Sequence, residues 1–450
     1  MDTIVAVATG TGRSAIGVIR LSGPASLTIL RRLVNEEDFT PAPRYAVLKE
    51  IFRESGDPVD SAVVTYFEGP HSFTGENVAE ISCHGSPVIL RSILDLTQLF
   101  GARLAGPGEF SLRAFQHGKM NLSQAEAVRD LIAAQSEAAA LQAARQLKGE
   151  LSVALKSSKE KLIQVIVKLE SALEFVEDDL PDVDYANVRT LLAQVIGSIE
   201  TMAATYSAGR MFREGLSVTL AGRPNVGKSS LFNKLLGMDR AIVTDIAGTT
   251  RDTITQEFTL RGLPISLTDT AGIRSAGDRI EEFGVERTQR AMVDADLLLV
   301  VLDGSTELEA EDFAILSDTQ TAKRIVVLNK SDLVKSEITP EGLEENCKVV
   351  HVSALTSEGL DELSTAILEP FGVVDSESVG LLITDSRHHD LLRRAEASLL
   401  DSFTSFEEKQ SEELVLVGLH NALKYLGEIT GETTADEILG QIFSTFCIGK

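Results

Sequence analysis

The spacing of apolar positions changes character several times along the chain, and each change marks a segment. Through residues 1–118, short β-rich runs at Thr3–Ala8, Ile16–Leu21, Ala62–Phe67 and Val78–Ser82 are separated by glycine and proline turns. A longer apolar stretch, Pro87–Phe100, has helical spacing. From residue 119 the texture shifts. Ser123-Gln124-Ala125-Glu126 has the form of a capping box. A proline-free run rich in Ala, Leu, Gln, Glu and Lys follows to about Phe175, which predicts a pair of long helices or one broken helix. Asp178–Asp184, with Pro181, interrupts it, and a further helix is expected from Tyr185 to Phe212. At Leu216 the pattern becomes short apolar strands alternating with helices, the mark of a parallel sheet. The expected strands are Leu216–Ala221, Leu263–Asp269, Leu297–Asp303, Arg324–Asn329 and Val349–Val352. After Pro370 helical spacing returns, over Ser386–Phe406 and again towards the C-terminus. A multidomain α/β chain is expected: an α+β domain at 1–118, then an all-α bundle in two parts, 119–214 and 373–450. An α/β domain, 215–372, is inserted between them, and the two helical parts each show a stripe that needs cover.

Composition narrows the classes. At 450 residues, with 43% apolar and 24% charged, the chain can bury several cores and is not a disordered or collagenous sequence. The net charge of −25 has the wrong sign for coating nucleic acid, and it is concentrated in 215–372 (15 basic, 26 acidic) and 373–450 (6 basic, 14 acidic). Any RNA contact therefore belongs elsewhere in the chain. Trp is absent and aromatics are 5%, which leaves little material for base stacking. Cys83, Cys347 and Cys447 form no CxxC and no zinc spacing, so free thiols in a reducing compartment are expected. Met1-Asp2-Thr3 carries no basic region, and the run Leu297–Leu302 is far below the ~18 residues of a membrane span. A cytoplasmic protein is expected, with neither membrane nor DNA as partner.

The chemistry is concentrated in the α/β segment. Gly222-Arg-Pro-Asn-Val-Gly227-Lys228-Ser229 fits G-x-x-x-x-G-K-[ST] between an expected strand and helix. Backbone N–H groups around Asn225, Val226, Gly227 and on to Ser230 would wrap phosphates, Lys228 would reach the β and γ phosphates, and Ser229 would bind Mg²⁺. Asp269-Thr270-Ala271-Gly272 ends a strand, where a carboxylate can hold Mg²⁺ through water and an N–H can sense the γ-phosphate. Asn329-Lys330-Ser331-Asp332 follows another strand, and Asp332 offers two acceptor oxygens to the N1–H and N2–H₂ donors of guanine, a pair adenine lacks. Ser353-Ala354-Leu355 can offer backbone N–H to guanine O6. Their order and placement at strand ends predict GTP binding and hydrolysis by a Ras-like P-loop domain. Thr244-Asp245-Ile246-Ala247-Gly248-Thr249-Thr250 reads as a first switch, with Thr250, or its rival Thr249, joining Mg²⁺. Ile273 stands where many such enzymes carry a water-orienting glutamine. Another polar group must take that role, and Glu281 and Glu282 follow on the same segment.

Further motifs carry a resemblance over essentially the full length: Gly-Val-Ile-Arg-Leu-Ser-Gly at 17–23, Val78-Ala-Glu-Ile-Ser-Cys-His-Gly85, Gly106-Pro-Gly-Glu-Phe110, Lys119 through Gln124-Ala-Glu126, and the terminal Cys447-Ile-Gly-Lys450. With these the chain resembles the MnmE (TrmE) family of tRNA-modification GTPases. The resemblance implies an N-terminal domain that binds a reduced folate (5-formyl- or methylene-tetrahydrofolate) through Arg20, Glu80, Lys119 and Lys450, and that makes a homodimer. From spacing alone, Arg20 reads as a strand-end surface charge and Lys119 as a charge at a helix N-terminus. Cys83 reads as strand core, and Cys447 stays open between a bare tail residue and a role near the folate. The resemblance also implies K⁺ held by Asn225, Thr244, Ile246 and Thr249, with a transient dimer of G domains. Glu281 then matches the family's water-positioning acid, and Glu282 beside it is an extra one. Partners implied are tRNA and the FAD-carrying MnmG (GidA) in a heterotetramer, modifying C5 of the wobble uridine. The competing expectation is an RNA-assembly GTPase switch, which would need an appended RNA-binding module; no GXXG clamp appears in a suitable context.

Overall fold

A computed structural model describes residues 2–10, 12–174, 184–238, 254–269, 295–333, 347–371 and 380–449. The chain divides into two compact units: Met1–Arg129 with Gln146–Glu160 and His420–Lys450, and Asp130–Arg145 with Lys161–Leu419.

The first unit is built on a six-stranded sheet of order β3-β4-β5-β2-β1-β6. Its strands are β1 (Ile4–Val7), β2 (Ile16–Ser22), β3 (Ala46–Phe52), β4 (Pro58–Phe67), β5 (Val78–His84) and β6 (Arg103–Leu104). Alternate side chains of the central strands, among them Ile19, Leu21, Val64, Ile81 and Cys83, form one buried cluster. Ile29, Leu30 and Leu33 of the helix Ser26–Leu33 join it, as do Leu90, Ile93 and Leu96 of the helix Pro87–Leu99. The opposite face carries Arg20 and Glu80, paired across the β2–β5 ladder, beside a small cluster of Ile4, Ala6, Ala105 and Phe110. The C-terminal helix Asp436–Ser444 packs through Phe443, with Phe446 after it, against Leu122 and Ala125. Cys83 is buried, and burial pushes its thiol up to about 11; Cys447 is exposed, and both are free.

The second unit holds a six-stranded sheet of order β12-β11-β10-β7-β9-β8. Its strands are β7 (Leu216–Ala221), β8 (Ile254–Leu260), β9 (Leu263–Asp269), β10 (Leu297–Asp303), β11 (Arg324–Asn329) and β12 (Lys348–His351). All neighbours are parallel except β8 and β9. Every residue of β10 is buried, Leu297, Leu299 and Val301 in one cluster and Val300 and Leu302 in another. Burial on both faces explains why this strand reads as an unbroken apolar run. Helices that flank the sheet in sequence pack together: the Tyr185 and Phe406 rings lie 6.0 Å apart, and Arg189 donates to Glu407 at 2.8 Å. The Gly209 side of Tyr206–Glu214 lies so close to the Ile383 carbonyl that a Cβ there would sit 2.1 Å from its oxygen. Within this unit, helical segments from both sides of the α/β sheet in sequence thus pack on each other, as the expected fold class requires.

Several local expectations change. The helical run resolves into three helices, Leu122–Ala133, Glu137–Leu147 and Glu150–Glu174, and the next into Tyr185–Ala204 and Tyr206–Glu214. The capping box is not Ser123/Glu126. Gln124 N–H donates to Asn121 Oδ1 at 2.9 Å and Asn121 N–H to Gln124 Oε1 at 3.0 Å, so the reciprocal pair sits two residues earlier and Ser123 already lies inside the helix. Strands β3, β6 and β8 and the helices Ser26–Leu33 and Glu109–Gln116 go beyond the elements that the apolar pattern predicts. Among the described residues no helix is long and apolar enough to cross a membrane.

The start of the first unit is held by a charge cluster. Arg113, with 7% of its side chain exposed, donates to the Asp2 carbonyl at 2.9 Å, to Asp2 Oδ1 at 2.7 Å, to Glu76 Oε2 at 3.0 Å and to Glu109 Oε1 at 3.0 Å. Arg103 clamps Asp2 and Glu109 from outside, at 2.7 Å each. Hydrogen bonds from Arg103 and then Arg113 hold the Asp2 carboxyl well below its usual range. Burial alone would raise Glu109, but donors from Arg103, the Gly106 N–H and Arg113 override it and hold it low. Depressed carboxylates contribute stability that is complete above their unfolded values, near 3.9 for Asp and 4.3 for Glu, and that is lost as pH falls below them. Acid titration followed by circular dichroism is therefore expected to unfold Arg103→Gln at a higher pH than the unaltered protein; coincident titrations would contradict the role of the cluster.

Candidate functional site

The site forms where β7, β9, β10, β11 and β12 end, because loops leave a parallel sheet from its C-terminal edge. Between β7 and the helix Lys228–Met238 the chain wraps tightly. A Cβ at Gly222 would stand 2.3 Å from the Val301 carbonyl oxygen, and one at Gly227, whose φ is +96°, 2.2 Å from Asn329 Nδ2. Neither position admits a side chain. Asn225 takes the left-handed conformation at φ +65°, which asparagine tolerates, and its side chain is exposed. The Lys228 ammonium donates to the carbonyls of Gly222 and Arg223, at 2.7 Å each, so the cation already sits inside the loop that would hold phosphates. Ser229 Oγ donates to Asp269 Oδ2 at 2.9 Å. A hydroxyl beside a carboxylate is a hard-oxygen donor pair, suited to Mg²⁺. Ser230 follows, exposed, in the first turn of the helix.

The base-reading motifs meet the same loop. Asn329, 1% exposed, donates from Nδ2 to the Val226 carbonyl at 2.9 Å and accepts at Oδ1 from the Ala354 N–H at 3.1 Å. Lys330 pairs with Asp303 Oδ2 at 2.6 Å. Burial alone would raise Asp303, but hydrogen bonds from Lys330 and Ser305 hold it below its ordinary value. Asp332 is exposed and accepts at Oδ1 from Ser353 Oγ at 2.6 Å, while the Ser353 hydroxyl also accepts from the Thr356 N–H. Ser331 is half-buried and Leu355 is exposed. The amides of Ser353 and Ala354, read from sequence as candidates for guanine O6, donate within the protein, to the Glu358 carbonyl at 3.0 Å and to Asn329. Three contributions escape the sequence reading: Asp303 as the anchor of Lys330, the Ser353 hydroxyl as the group that orients Asp332, and Asn329 as a bridge to the phosphate loop. A signal for Asp303 is present, a carboxylate closing an otherwise apolar strand. Thr244, Asp245, Ile246, Ala247, Gly248, Thr249, Thr250, Thr270, Ala271, Gly272, Ile273, Glu281 and Glu282 lie outside the described residues, as does Lys450.

A second constellation lies in the first unit. Arg20 pairs with Glu80 at 2.7 Å, and its guanidinium lies 5.7 Å from the Phe73 ring centroid and 5.9 Å from that of Phe110. It also reaches the Gly449 carbonyl at 3.5 Å, so the C-terminal residues close on the same face. Pro107 and Ile448 form a bridge beside them. The Lys119 stem lies 3.4 Å from where a Cβ on Gly75 would be, at the loop that carries Phe73. A cation–carboxylate pair between aromatic rings suits a flat ligand with both N–H donors and an anionic group.

Comparison with known proteins finds similarity along the whole chain. Residues 3–119 match the model described as the GTP-binding protein TrmE N-terminus, and residues 122–447 the MnmE helical domain. A protein named tRNA modification GTPase MnmE from Aquifex aeolicus is 44% identical across 100% of both chains. Proteins of the same name from Koribacter versatilis and Laribacter hongkongensis are 42% and 44% identical over 100% of this chain and 99% of theirs. Among solved structures, that of a single-residue variant of Aquifex aeolicus Era bound to GDP·AlF4⁻ is 26% identical, covers 41% of this chain and 67% of that chain, and has a TM-score of 0.30.

Asn329→Ala leaves the Val226 carbonyl and the Ala354 N–H buried without their partner, each at a cost of about 1–3 kcal/mol. Urea denaturation of the full chain is expected to show the loss, and an unchanged midpoint would contradict the bridge.

Proposed function

The chain belongs to the MnmE family of tRNA modification GTPases, and on that premise we propose that it hydrolyses GTP together with the FAD-dependent protein MnmG (GidA) to install an aminomethyl or carboxymethylaminomethyl group at C5 of the wobble uridine of tRNA. That it is a GTPase of tRNA modification follows from full-length relatives; the substrate position, donor and partner are our reading. The observation that supports its GTP-binding part is the joining of phosphate loop and base loop through Asn329, which suits a phosphate tail beside a purine, while its tRNA-modification part rests on the full-length relatives. The RNA-assembly switch is the weaker account, because the match runs through the N-terminal and helical segments as well.

In this reading the chain works as four segments. Residues 1–118 bind folate and dimerise, 119–214 and 373–450 form the helical domain, and 215–372 form the G domain. Lys228 and the amides of the loop from Asn225 to Ser230 hold the phosphates, while Asp332, oriented by Ser353, holds the guanine edge. Ser229, Asp269 through water, and Thr250 would hold Mg²⁺, which neutralises charge between the β and γ phosphates. Asn225, Thr244, Ile246 and Thr249 would hold K⁺, which would supply the charge an arginine finger supplies elsewhere, in a transient pair of G domains. Glu281 positions the attacking water. Arg20, Glu80, Lys119 and Lys450 receive the reduced folate that donates the one-carbon unit. The homodimer, the heterotetramer with MnmG and a cytoplasmic setting belong to the same reading.

Replacing NaCl by KCl is expected to raise GTP turnover by orders of magnitude, on the scale of an arginine finger, about 10³–10⁵; equal turnover in the two salts would refute the K⁺ assignment. Asp332→Asn exchanges an acceptor oxygen for a donor and is expected to move preference from guanosine to xanthosine nucleotides, measured by competition binding. Unchanged preference would remove Asp332 from base recognition.

A further inference from the structure

We infer that Arg223 is a positioning residue for GTP hydrolysis, which fixes the phosphate loop from outside the nucleotide pocket and ties its shape to the segment 303–312. The inference rests on the P-loop reading above. The Arg223 carbonyl is one of the two that receive the Lys228 ammonium, so moving this residue moves the cradle of that cation. Its side chain reaches into the segment 306–312. The guanidinium donates to Glu309 Oε1 at 2.6 Å and to Thr306 Oγ1 at 3.3 Å, and its Nε stands 3.1 Å from Asp312 Oδ2. Asp312 is fully buried, and 15% of the Arg223 side chain is exposed. The contact with Asp312 is an ion pair without hydrogen-bond geometry, so the buried carboxylate is matched by charge while the directed bonds of the guanidinium go to Glu309 and Thr306.

The same Asp312 oxygen accepts the Glu309 N–H at 3.0 Å, closing the capping box of the helix Ala310–Asp318. One carboxylate thus sets both the start of that helix and the start of the phosphate loop. At the other end of the segment, Asp303 holds Lys330 of the base loop and accepts from Ser305. The stretch from 303 to 312 is therefore pinned to the base loop at one end and to the phosphate loop at the other. Pro224 and the left-handed Asn225 follow Arg223 directly, so the loop has little slack with which to absorb a displaced anchor.

Arg223→Lys keeps a cation opposite Asp312, which protects folding, but replaces the two directed bonds to Glu309 and Thr306 by a single point charge. In the full chain, with potassium present, it is expected to speed GDP release about tenfold and to lower kcat by about 10–100-fold, the scale of a 1 Å misplacement, while the melting temperature stays that of the unaltered protein. Wild-type release and turnover in Arg223→Lys, or losses that merely follow a lowered melting temperature, would each overturn the inference. Lack of GTP turnover in the unaltered protein would instead refute the P-loop reading.

Discussion

The nucleotide site depends on one buried amide. Asn329 ends β11, the phosphate loop leaves β7, and β10 lies between those strands in the sheet. Backbone pairing therefore cannot hold the two loops together; a side chain has to span them. An amide suits the task because it donates and accepts at once, to the Val226 carbonyl and from the Ala354 N–H. A carboxylate at the same place would set an acceptor against a carbonyl, and an aliphatic residue would leave both backbone groups buried and unpaired. The lack of room for a Cβ at Gly227 follows from the same contact, since the amide nitrogen already occupies that space. The sequence patterns Gly-Lys-Ser and Asn-Lys-x-Asp thus describe two sides of one interface.

The rest of the site is arranged around that bridge by charge. Lys228 is enclosed by carbonyls of its own loop, and Lys330 is neutralised by Asp303 beneath the base loop. A domain that carries more acid than base must gather its few cations if it is to hold a polyanion. Here the strands, buried on both faces, leave the loops at their ends as the places where charge can be exposed, and the cations are set there.

Legibility in the sequence followed burial. β7, β9, β10 and β11 are apolar enough to be read directly, and their bounds agree with the runs that predicted them. The strands that escaped are edges. β3 carries Lys49 and Glu50 and has one buried residue, and β8 carries polar residues along its length, so neither shows a periodic apolar signal. The capping box failed for a different reason. Asn121/Gln124 and Ser123/Glu126 are overlapping candidates, and choosing between them requires knowing that Ser123 and Glu126 are buried within the helix. Motif residues of the G domain are legible because each motif lies within a single short loop at a strand end. Arg20 and Glu80 were not legible from spacing, since 60 residues separate them and only the β2–β5 register sets them side by side.

That register also constrains what the first unit can accept. Arg20 and Glu80 satisfy each other across the ladder, partly shielded from water. A ligand that drew Arg20 away with an anion alone would leave the part-exposed Glu80 carboxylate without its cation, and the lost pairing would offset part of the new one. A ligand that offered an N–H edge to Glu80 and an anion to Arg20 would replace both halves of the pair together. Under the folate reading proposed above, the pair would favour molecules that carry both functions over a simple anion or a neutral ring. The Gly449 carbonyl accepts from the same guanidinium, beside the Pro107–Ile448 bridge, so residues 448–449 share this face with the pair.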